Sequence, residues 1–222
     1  MNISKLVVPH FSGNHQFHYI PKPIFIIPPE GYNYYKDMKQ KALDIIEEYY
    51  GNTPELKELL LAHSEAVAAK AKECAEQRDL TGSLDMEFVE EASLLHDLGI
   101  FLTDAPSIHC HGSMPYICHG IAGAGLLELE DMPRHARVAE RHTGAGLTAA
   151  EIEAQKLPLP RTDMLPETME EKLICYADKF FSKSGDPKKE KSLEKVMEQM
   201  KSHGEDTLAR FMELHRLFGP QD

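Results

Sequence analysis

Cysteine is scarce in this sequence, and its placement excludes several classes of protein. The four cysteines of the 222-residue chain are Cys74, Cys110, Cys118 and Cys175. None of them forms a Cys-x-x-Cys pair, and a chain of this length can bury a sizeable core without a disulfide framework. We therefore expect reduced thiols and a cytoplasmic protein.

Long apolar runs and a surplus of positive charge are absent as well. No apolar run approaches the roughly 20 residues that a membrane-spanning helix needs, and the N-terminus lacks the apolar core of a signal peptide. The chain has 24 Lys and Arg against 36 Asp and Glu, a formal net charge of −12. So acidic a chain repels the nucleic-acid backbone, and we expect neither a membrane protein nor a binder of nucleic-acid duplexes. A locally cationic active site could still attract a small phosphorylated substrate.

The first 31 residues lack the periodicity of a helix. Five prolines forbid a continuous helix there: Pro9, Pro21, Pro23, Pro28 and Pro29. The run Ile24-Phe25-Ile26-Ile27 makes the segment too apolar for a disordered tail. We expect a partly extended arm over residues 1–31 that packs on the domain or on a partner subunit, which makes a homodimer plausible. His10, His15 and His18 in this arm show no metal-ligand spacing.

From residue 32 onward, apolar residues recur at helical spacing, and no alternating strand pattern occurs outside the arm. The fold class predicted is all-α, with a helical bundle over residues 32–185 and C-terminal helices packed on it over residues 186–222. Predicted helices cover residues 34–50, 54 to about 77, 133–142, 187 to about 202 and about 206–218, and three others carry His96, His119 and Asp178.

Capping residues mark several helix starts. Thr53 before Pro54 suits an N-cap followed by a first helical residue, and Asp85 can cap the helix that leads to His96. Two capping-box patterns follow: Thr148 with Glu151, and Thr168 with Glu171.

Two stretches outside the helices bear on function. Residues 103–118 predict an irregular loop. It either folds over the active site, with His109 or His111 able to touch a phosphate, or is an ordinary surface loop. Residues 188–191, Lys-Lys-Glu-Lys, predict a solvated face.

Glycines are concentrated at the start of the helix that His119 opens. Gly120, Gly123 and Gly125 are poor helix formers. Small residues at these positions would let neighbouring helices approach closely.

An adjacent His-Asp pair, His96-Asp97, ends the apolar helical run over residues 88–95. Imidazole nitrogen and carboxylate oxygen together suit a divalent transition metal. The alternative is an ordinary helix C-terminus, in which Gly99 is the first residue beyond the helix. Four further residues favour the metal: His63, His119, His142 and Asp178.

Two of these four also have ordinary structural readings. His63 lies on the apolar face of its helix, where a lone histidine is usually a satisfied core residue. Asp178 lies in an apolar stripe and needs a partner, either a metal or a salt bridge, because burying a bare carboxylate is costly.

The order of these residues resembles the HD superfamily of metal-dependent phosphohydrolases. Residues 94–99, Leu-Leu-His-Asp-Leu-Gly, are similar to the family's signature, and residues 176–179, Tyr-Ala-Asp-Lys, to its final motif. The resemblance covers roughly residues 55–185. Residues 140–147 and 166–172 are further similar to an uncharacterised branch of small prokaryotic HD proteins.

The resemblance implies a site for one or two divalent transition metals, iron or manganese in the first place, with nickel, cobalt or zinc as alternatives. One metal would use His63, His96, Asp97 and Asp178. The two additional histidines, His119 and His142, match the subset of the family with two metals, and Asp97 would bridge the pair.

The activity implied is hydrolysis of a phosphate ester or anhydride of a small molecule, by default a nucleotide, by a metal-bound hydroxide. Asp97 is then a catalytic residue. Lys179 and Arg141 adjoin metal ligands and are candidate catalytic contacts to a substrate phosphate. Two alternatives stay open: an HD-type di-iron oxygenase, and a non-catalytic nucleotide-binding sensor. The Gly-Tyr-Pro motif of the branch that cleaves cyclic dinucleotides is absent.

Overall fold

A computed structural model describes residues 34–221 of the chain, with the side chains from residue 39 onward. The predicted arm over residues 1–31 and its three histidines lie outside the described residues. Within the described part, no helix is long and apolar enough to cross a membrane.

The described residues form an all-α fold, as predicted. Its helices are α1 (Tyr34–Tyr50), α2 (Pro54–Gln77), α3 (Met86–Leu95), α4 (His119–Leu129), α5 (Pro133–Arg141), α6 (Ala149–Ala154), α7 (Met169–Asp178), α8 (Leu193–His203) and α9 (Glu205–Phe218). Within residues 34–221, one sheet interrupts the helices. Its strands β1 (Asp104–Ala105) and β2 (Cys110–His111) are antiparallel, with Asp104 opposite His111. The sequence had predicted only an irregular loop there.

Most of the predicted caps form. The Asp85 carboxylate accepts from the Phe88 amide at 3.1 Å, and both capping boxes are complete. Thr53 is the N-cap residue of α2 and Pro54 its first residue, as predicted, but the Thr53 hydroxyl donates to the Tyr50 carbonyl and caps no amide of α2.

The start predicted for the penultimate helix is wrong. Helix α8 begins at Leu193, where the Ser192 hydroxyl accepts from the Lys195 amide. The preceding residues 182–192 are not helical. One reason is that the Lys191 amide donates to the Phe180 carbonyl at 2.7 Å, which ties this segment back to the end of α7.

The apolar side chains divide into two buried clusters. One joins the second half of α2 and the first half of α3 to α7, α8 and α9, around Tyr176, Phe211 and Phe218. The other joins α1, α4 and α5 to the remaining halves of α2 and α3, around Leu60 and Leu127. The middle of α2 and the end of α3 therefore lie where the two clusters meet. His63 and the His96-Asp97 pair occupy these positions.

Candidate metal centre

The structure brings all six predicted ligand residues together. Their ligand atoms form two groups, and within each group these atoms lie within 4.8 Å of one another. The first group is His63, His96, Asp97 and Asp178; the second is Asp97, His119 and His142. Every member is buried. Asp97 belongs to both groups, which matches the bridging position implied by the family resemblance.

Five helices supply these residues, and four of them do so at one end. His96 and His142 are the residues after the last turns of α3 and α5, His119 opens α4, and Asp178 ends α7. His63 lies within α2. Because helix ends converge here, short backbone segments rather than long flexible side chains determine the geometry.

Close packing of backbones makes this convergence possible. A Cβ atom on Gly99 would lie 2.3 Å from both the His119 carbonyl oxygen and the Gly123 nitrogen, and one on Gly120 would lie 2.6 Å from the Ala139 carbonyl oxygen. The expectation of close approach therefore holds at Gly120 and Gly123. It is wrong at Gly125, where a Cβ would meet nothing within 4 Å.

Three of the histidines share one orientation. The Nδ1 atoms of His96, His119 and His142 each lie 2.7–2.8 Å from the carbonyl oxygen three residues earlier in the chain. A carbonyl oxygen can only accept, so each Nδ1 carries a proton. In a neutral ring the lone pair then belongs to Nε2, and all three Nε2 atoms face the cluster. Metal-binding histidines are commonly oriented by such a bond to the far nitrogen.

The distance between two of these Nε2 atoms is the most informative in the site. His119 Nε2 and His142 Nε2 are 3.0 Å apart, and each lies 3.5 Å from Asp97 Oδ1. If both rings are neutral, two lone pairs face each other across this distance. That arrangement is repulsive without a cation or a proton between the nitrogens.

The other group shows the same crowding of donor atoms. His63 Nε2 lies 3.0 Å from Asp178 Oδ1 and 3.2 Å from Asp97 Oδ2, and His96 Nε2 lies 2.9 Å from Asp97 Oδ2. Within residues 34–221, His96 Nε2 and both Asp97 oxygens nevertheless have no partner with hydrogen-bond geometry. The Lys183 ammonium lies 2.5 Å from Asp97 Oδ2 as an ion-pair partner. Because buried polar atoms are nearly always hydrogen-bonded, the other two, His96 Nε2 and Asp97 Oδ1, point to a bound cation.

The electrostatics of the cluster favour added positive charge. Burial lowers the pKa of His96, but the Asp97 and Asp178 carboxylates outweigh it and raise that pKa to about 9. Burial would raise the pKa of Asp97, yet His96 and Lys183 hold it well below its ordinary value. Burial and the neighbouring His142 lower the pKa of His119 to about 3, which keeps its ring neutral. Neutral imidazoles and ionised carboxylates are the forms that bind metals, so His119 and Asp97 are ready for a metal, and a metal at His96 would displace the proton of its ring.

This set of nitrogen and oxygen donors fits divalent transition metals better than calcium, which prefers oxygen ligands alone. The fit rests on the orphaned buried atoms and on the facing nitrogens of His119 and His142. It leaves the identity of the metal open.

A cavity of about 370 Å³ opens beside the cluster. We call its buried side the floor, made by His119, His142, Asp178 and Lys179. We call the lining residues from Ser182 onward the wall: Ser182 and Lys183, Lys191, and Gln199, Met200 and His203 of α8. The lining is completed by Tyr116, Ile117, Thr143, Gly144 and Phe181.

The two candidate phosphate contacts have different positions. The Lys179 ammonium lines the cavity but pairs with Asp178 Oδ2 at 2.7 Å and donates to the His142 carbonyl at 2.8 Å. The Arg141 guanidinium pairs with Glu140 at 3.3 Å and Glu167 at 2.8 Å, and it does not line the cavity. The structure thus places Lys179 beside the cluster and Arg141 outside it.

The loop over residues 103–118 does line the cavity, but not through the two histidines that the sequence suggested. His109 and His111 are exposed and do not line the cavity, whereas Tyr116 and Ile117 do. The Tyr116 ring stacks on His119 with centroids 4.7 Å apart.

The sequence analysis missed Lys183, and its prediction of a solvated face over residues 188–191 is wrong at Lys191, which is half-buried and lines the cavity with Lys183. The Lys183 ammonium lies 2.5 Å from Asp97 Oδ2, with 10% of its side chain exposed. Both lysines lie in the non-helical segment over residues 182–192, where helical spacing cannot predict which side chains face the site. The one available signal was that Lys183 follows Asp178 by five residues.

Comparisons with known proteins agree with the geometry. A family model described as HD domain matches residues 60–183, more than half of the chain. An uncharacterized protein of Methanocaldococcus jannaschii is 38% identical over 141 residues, which cover 63% of this chain and 72% of that protein. No solved structure shows a significant match.

Two further relatives are named tRNA (cytidine(56)-2'-O)-methyltransferase. The protein of Picrophilus torridus is 38% identical over 126 residues, 56% of this chain and 32% of the relative. The protein of Thermoplasma volcanium is 29% identical over 197 residues, 88% of this chain and 48% of the relative. The chain therefore spans less than half of the length of these two relatives.

Proposed function

The chain belongs to the HD domain family, and from that premise we propose that it is a metal-dependent phosphohydrolase. Its substrate in this proposal is a phosphate ester or anhydride of a small molecule, in particular a nucleotide. The observation that supports a two-metal site is the 3.0 Å separation of His119 Nε2 and His142 Nε2. Both rings donate from Nδ1 to a carbonyl, so both present lone pairs to the same point.

We assign His63, His96, Asp97 and Asp178 to one metal, and His119 and His142 to a second, with Asp97 bridging. Iron and manganese suit this mixture of nitrogen and oxygen donors, and nickel, cobalt and zinc are possible occupants. When bound, such a pair supplies an activated water and positive charge opposite the phosphoryl oxygens.

The chain's own residues would orient this chemistry. Lys179 holds Asp178 and the His142 carbonyl in place at 2.7 and 2.8 Å, so we assign it a positioning role. Buried Asp97 keeps its carboxylate ionised for both metals. The catalytic role of Arg141 stays a prediction, since Glu140 and Glu167 hold its guanidinium.

The cavity favours a small anionic substrate. Its volume, about 370 Å³, falls in the range of small-molecule sites. Lys179, Lys183 and Lys191 line it, against Asp178 and the adjoining Asp97. Local positive charge attracts phosphate even in a chain of net charge −12.

We do not propose the methyltransferase activity in the names of these two relatives for this chain. It spans 32% and 48% of the two relatives that carry that name. Its net charge of −12 also opposes contact with the backbone of tRNA.

The test is metal content per chain, measured by elemental analysis of protein purified without chelator and without oxygen. We expect about two transition metals in the wild type and about one in His142→Asn. The metal-loaded protein should then release phosphate from members of a nucleotide panel, with oxygen uptake followed in parallel.

Three outcomes would contradict the proposal. Failure to take up any of the five metals would remove the catalytic assignment. Oxygen consumption without phosphate release would favour the di-iron oxygenase. Nucleotide binding without turnover in the metal-loaded protein would favour the sensor.

A further inference from the structure

The wall of the cavity contains a lysine whose charge is not neutralised. Lys191 precedes α8, and its ammonium donates to the Gln199 side-chain oxygen at 3.0 Å. Within residues 34–221, no carboxylate oxygen lies within ion-pair distance of it. Lys179 and Lys183, which line the same cavity, are paired with Asp178 and Asp97.

The backbone around this lysine is anchored on both sides. The Lys191 amide donates to the Phe180 carbonyl at 2.7 Å. The preceding residue, Glu190, pairs with Lys70 at 2.7 Å, and the Lys70 ammonium lies 5.4 Å from the centroid of the Phe180 ring. Lys191 is therefore positioned at the cavity before any ligand arrives.

The electrostatic setting of Lys191 favours an incoming anion. Burial lowers its pKa, Asp178 opposes this, and the Lys179 and Lys183 ammonium groups lower the pKa further. An anion that binds beside Lys191 would offset this repulsion. Lys179 and Lys183 each pair with an aspartate, so among the three cavity lysines Lys191 is the one with no carboxylate partner within residues 34–221.

We propose that Lys191, held by Gln199, binds a second phosphate of the substrate, separate from the phosphoryl group that the cluster would hold. The preferred substrate class is then a compound with two linked or nearby phosphates, such as a nucleoside diphosphate, rather than one with a single phosphate. This inference rests on the proposed function, because the cluster must hold the first phosphoryl group.

The experiment measures binding of inorganic phosphate and of pyrophosphate to the metal-loaded full chain by calorimetry. The variants are Lys191→Met, which keeps an unbranched side chain one atom shorter and removes its charge, and Lys195→Met as the matched control. Lys195 is an exposed lysine in the first turn of α8 that does not line the cavity. Lys191→Arg serves as the conservative variant.

We expect the wild type to bind pyrophosphate more tightly than phosphate. In Lys191→Met, affinity for pyrophosphate should fall about tenfold, as for loss of one charged hydrogen bond, while affinity for phosphate stays within about twofold. Lys195→Met should match the wild type, and Lys191→Arg should recover most of the difference.

Equal affinities of the wild type for the two anions, or an unchanged pyrophosphate affinity in Lys191→Met, would overturn the inference. A tenfold loss of pyrophosphate affinity in Lys195→Met as well would mean that any lysine of this region has the same effect through its charge, and would also overturn the inference. These failures differ from failure of the proposed function, which metal content and turnover of the wild type decide separately.

Discussion

The floor and the wall of the cavity are built on different principles. The floor comes from the metal cluster, whose ligands are buried, supplied by five helices and confined to residues 63–178. The wall comes from residues 182–203, of which Gln199 and His203 are exposed. The matched HD domain ends at residue 183, so most of the wall lies beyond it.

The difference suggests separate roles for the two sides, metal binding for the floor and substrate binding for the wall. Buried contacts hold the floor: backbone carbonyls orient His119 and His142, and Lys179 binds both Asp178 and the His142 carbonyl.

The wall is held by the contacts of Glu190 with Lys70 of α2 and of Lys191 with Phe180, and by α8, whose Val196 and Met200 belong to a buried cluster. We therefore expect changes in the floor to abolish metal binding and turnover, and changes in the wall to alter substrate affinity.

The largest effect should come from the residue shared by both ligand groups. Asp97→Ala should remove both metals and lower turnover more than about 100-fold, since loss even of groups that merely orient ligands costs 10- to 100-fold. Elemental analysis and a phosphate-release assay test this. Asp104→Ala, at an exposed aspartate outside the cluster, is the control. Retention of full metal content in Asp97→Ala would take Asp97 out of the ligand set.

The next effect concerns the backbone packing beneath the floor. Gly99→Ala would place a Cβ 2.3 Å from backbone atoms of α4, and we expect it to lower the free energy of unfolding by about 3 kcal/mol. Gly125→Ala is the matched control, because its Cβ meets nothing within 4 Å. It should be neutral or stabilise α4 by up to about 1 kcal/mol. Urea unfolding of both variants makes the comparison, and equal stabilities would refute the close-packing argument.

A smaller effect should separate the wall from the floor. Lys183→Met removes the ammonium that lies 2.5 Å from Asp97 Oδ2, a competitor for the same oxygen. We expect metal affinity to stay the same or rise, while kcat/KM falls about tenfold, as for loss of one charged contact to the substrate. Metal titration and steady-state kinetics test the two halves. Loss of metal in this variant would show that Lys183 supports metal binding and belongs with the floor.

The smallest effect concerns the pKa shifts of a buried acid and a buried histidine. Outside the cluster, Glu91 and His135 are buried with Oε2 and Nε2 3.6 Å apart. Burial and nearby acids raise the pKa of Glu91 to about 7, and burial with Arg134 lowers that of His135 to about 4.

These two shifts have opposite consequences for stability. Glu91 binds its proton more tightly in the folded chain, so its contribution is lost as pH rises from about 4.5 to about 7. His135 stays neutral in the folded chain, so its contribution is lost as pH falls from 6.5 to about 4. Relative to the wild type, Glu91→Gln should gain about 1 kcal/mol and His135→Gln should lose about 1 kcal/mol between pH 5 and pH 7.5.

Urea unfolding at the two pH values and a fixed metal loading measures these differences. Changes of the same sign in both variants would contradict the assignment. The opposite signs would show that burial keeps both groups neutral here, whereas in the floor the aspartates stay ionised.

The sequence predicted the floor well because its residues follow helical rules. Periodicity located α1, α2 and α9 to within a residue, Asp85 and the two capping boxes mark true helix starts, and the six ligand residues converge as the motif order implied. The wall could not be predicted from helical spacing, because its position depends on contacts made by a non-helical segment. The capping hydroxyl of Ser192, the bond from the Lys191 amide to the Phe180 carbonyl and the pair between Glu190 and Lys70 involve a non-helical segment and a helix distant in sequence.

The sequence by itself determined the family, the helical fold class and the residue types able to bind metal, because these depend on local spacing and on the chemistry of single side chains. Tertiary structure alone decided that the Nε2 atoms of His119 and His142 face each other at 3.0 Å. It also decided that Arg141 lies outside the cavity while Lys183 and Lys191 line it. The physical reason is that pairing and burial of a charge depend on which elements pack together, and no local pattern records that.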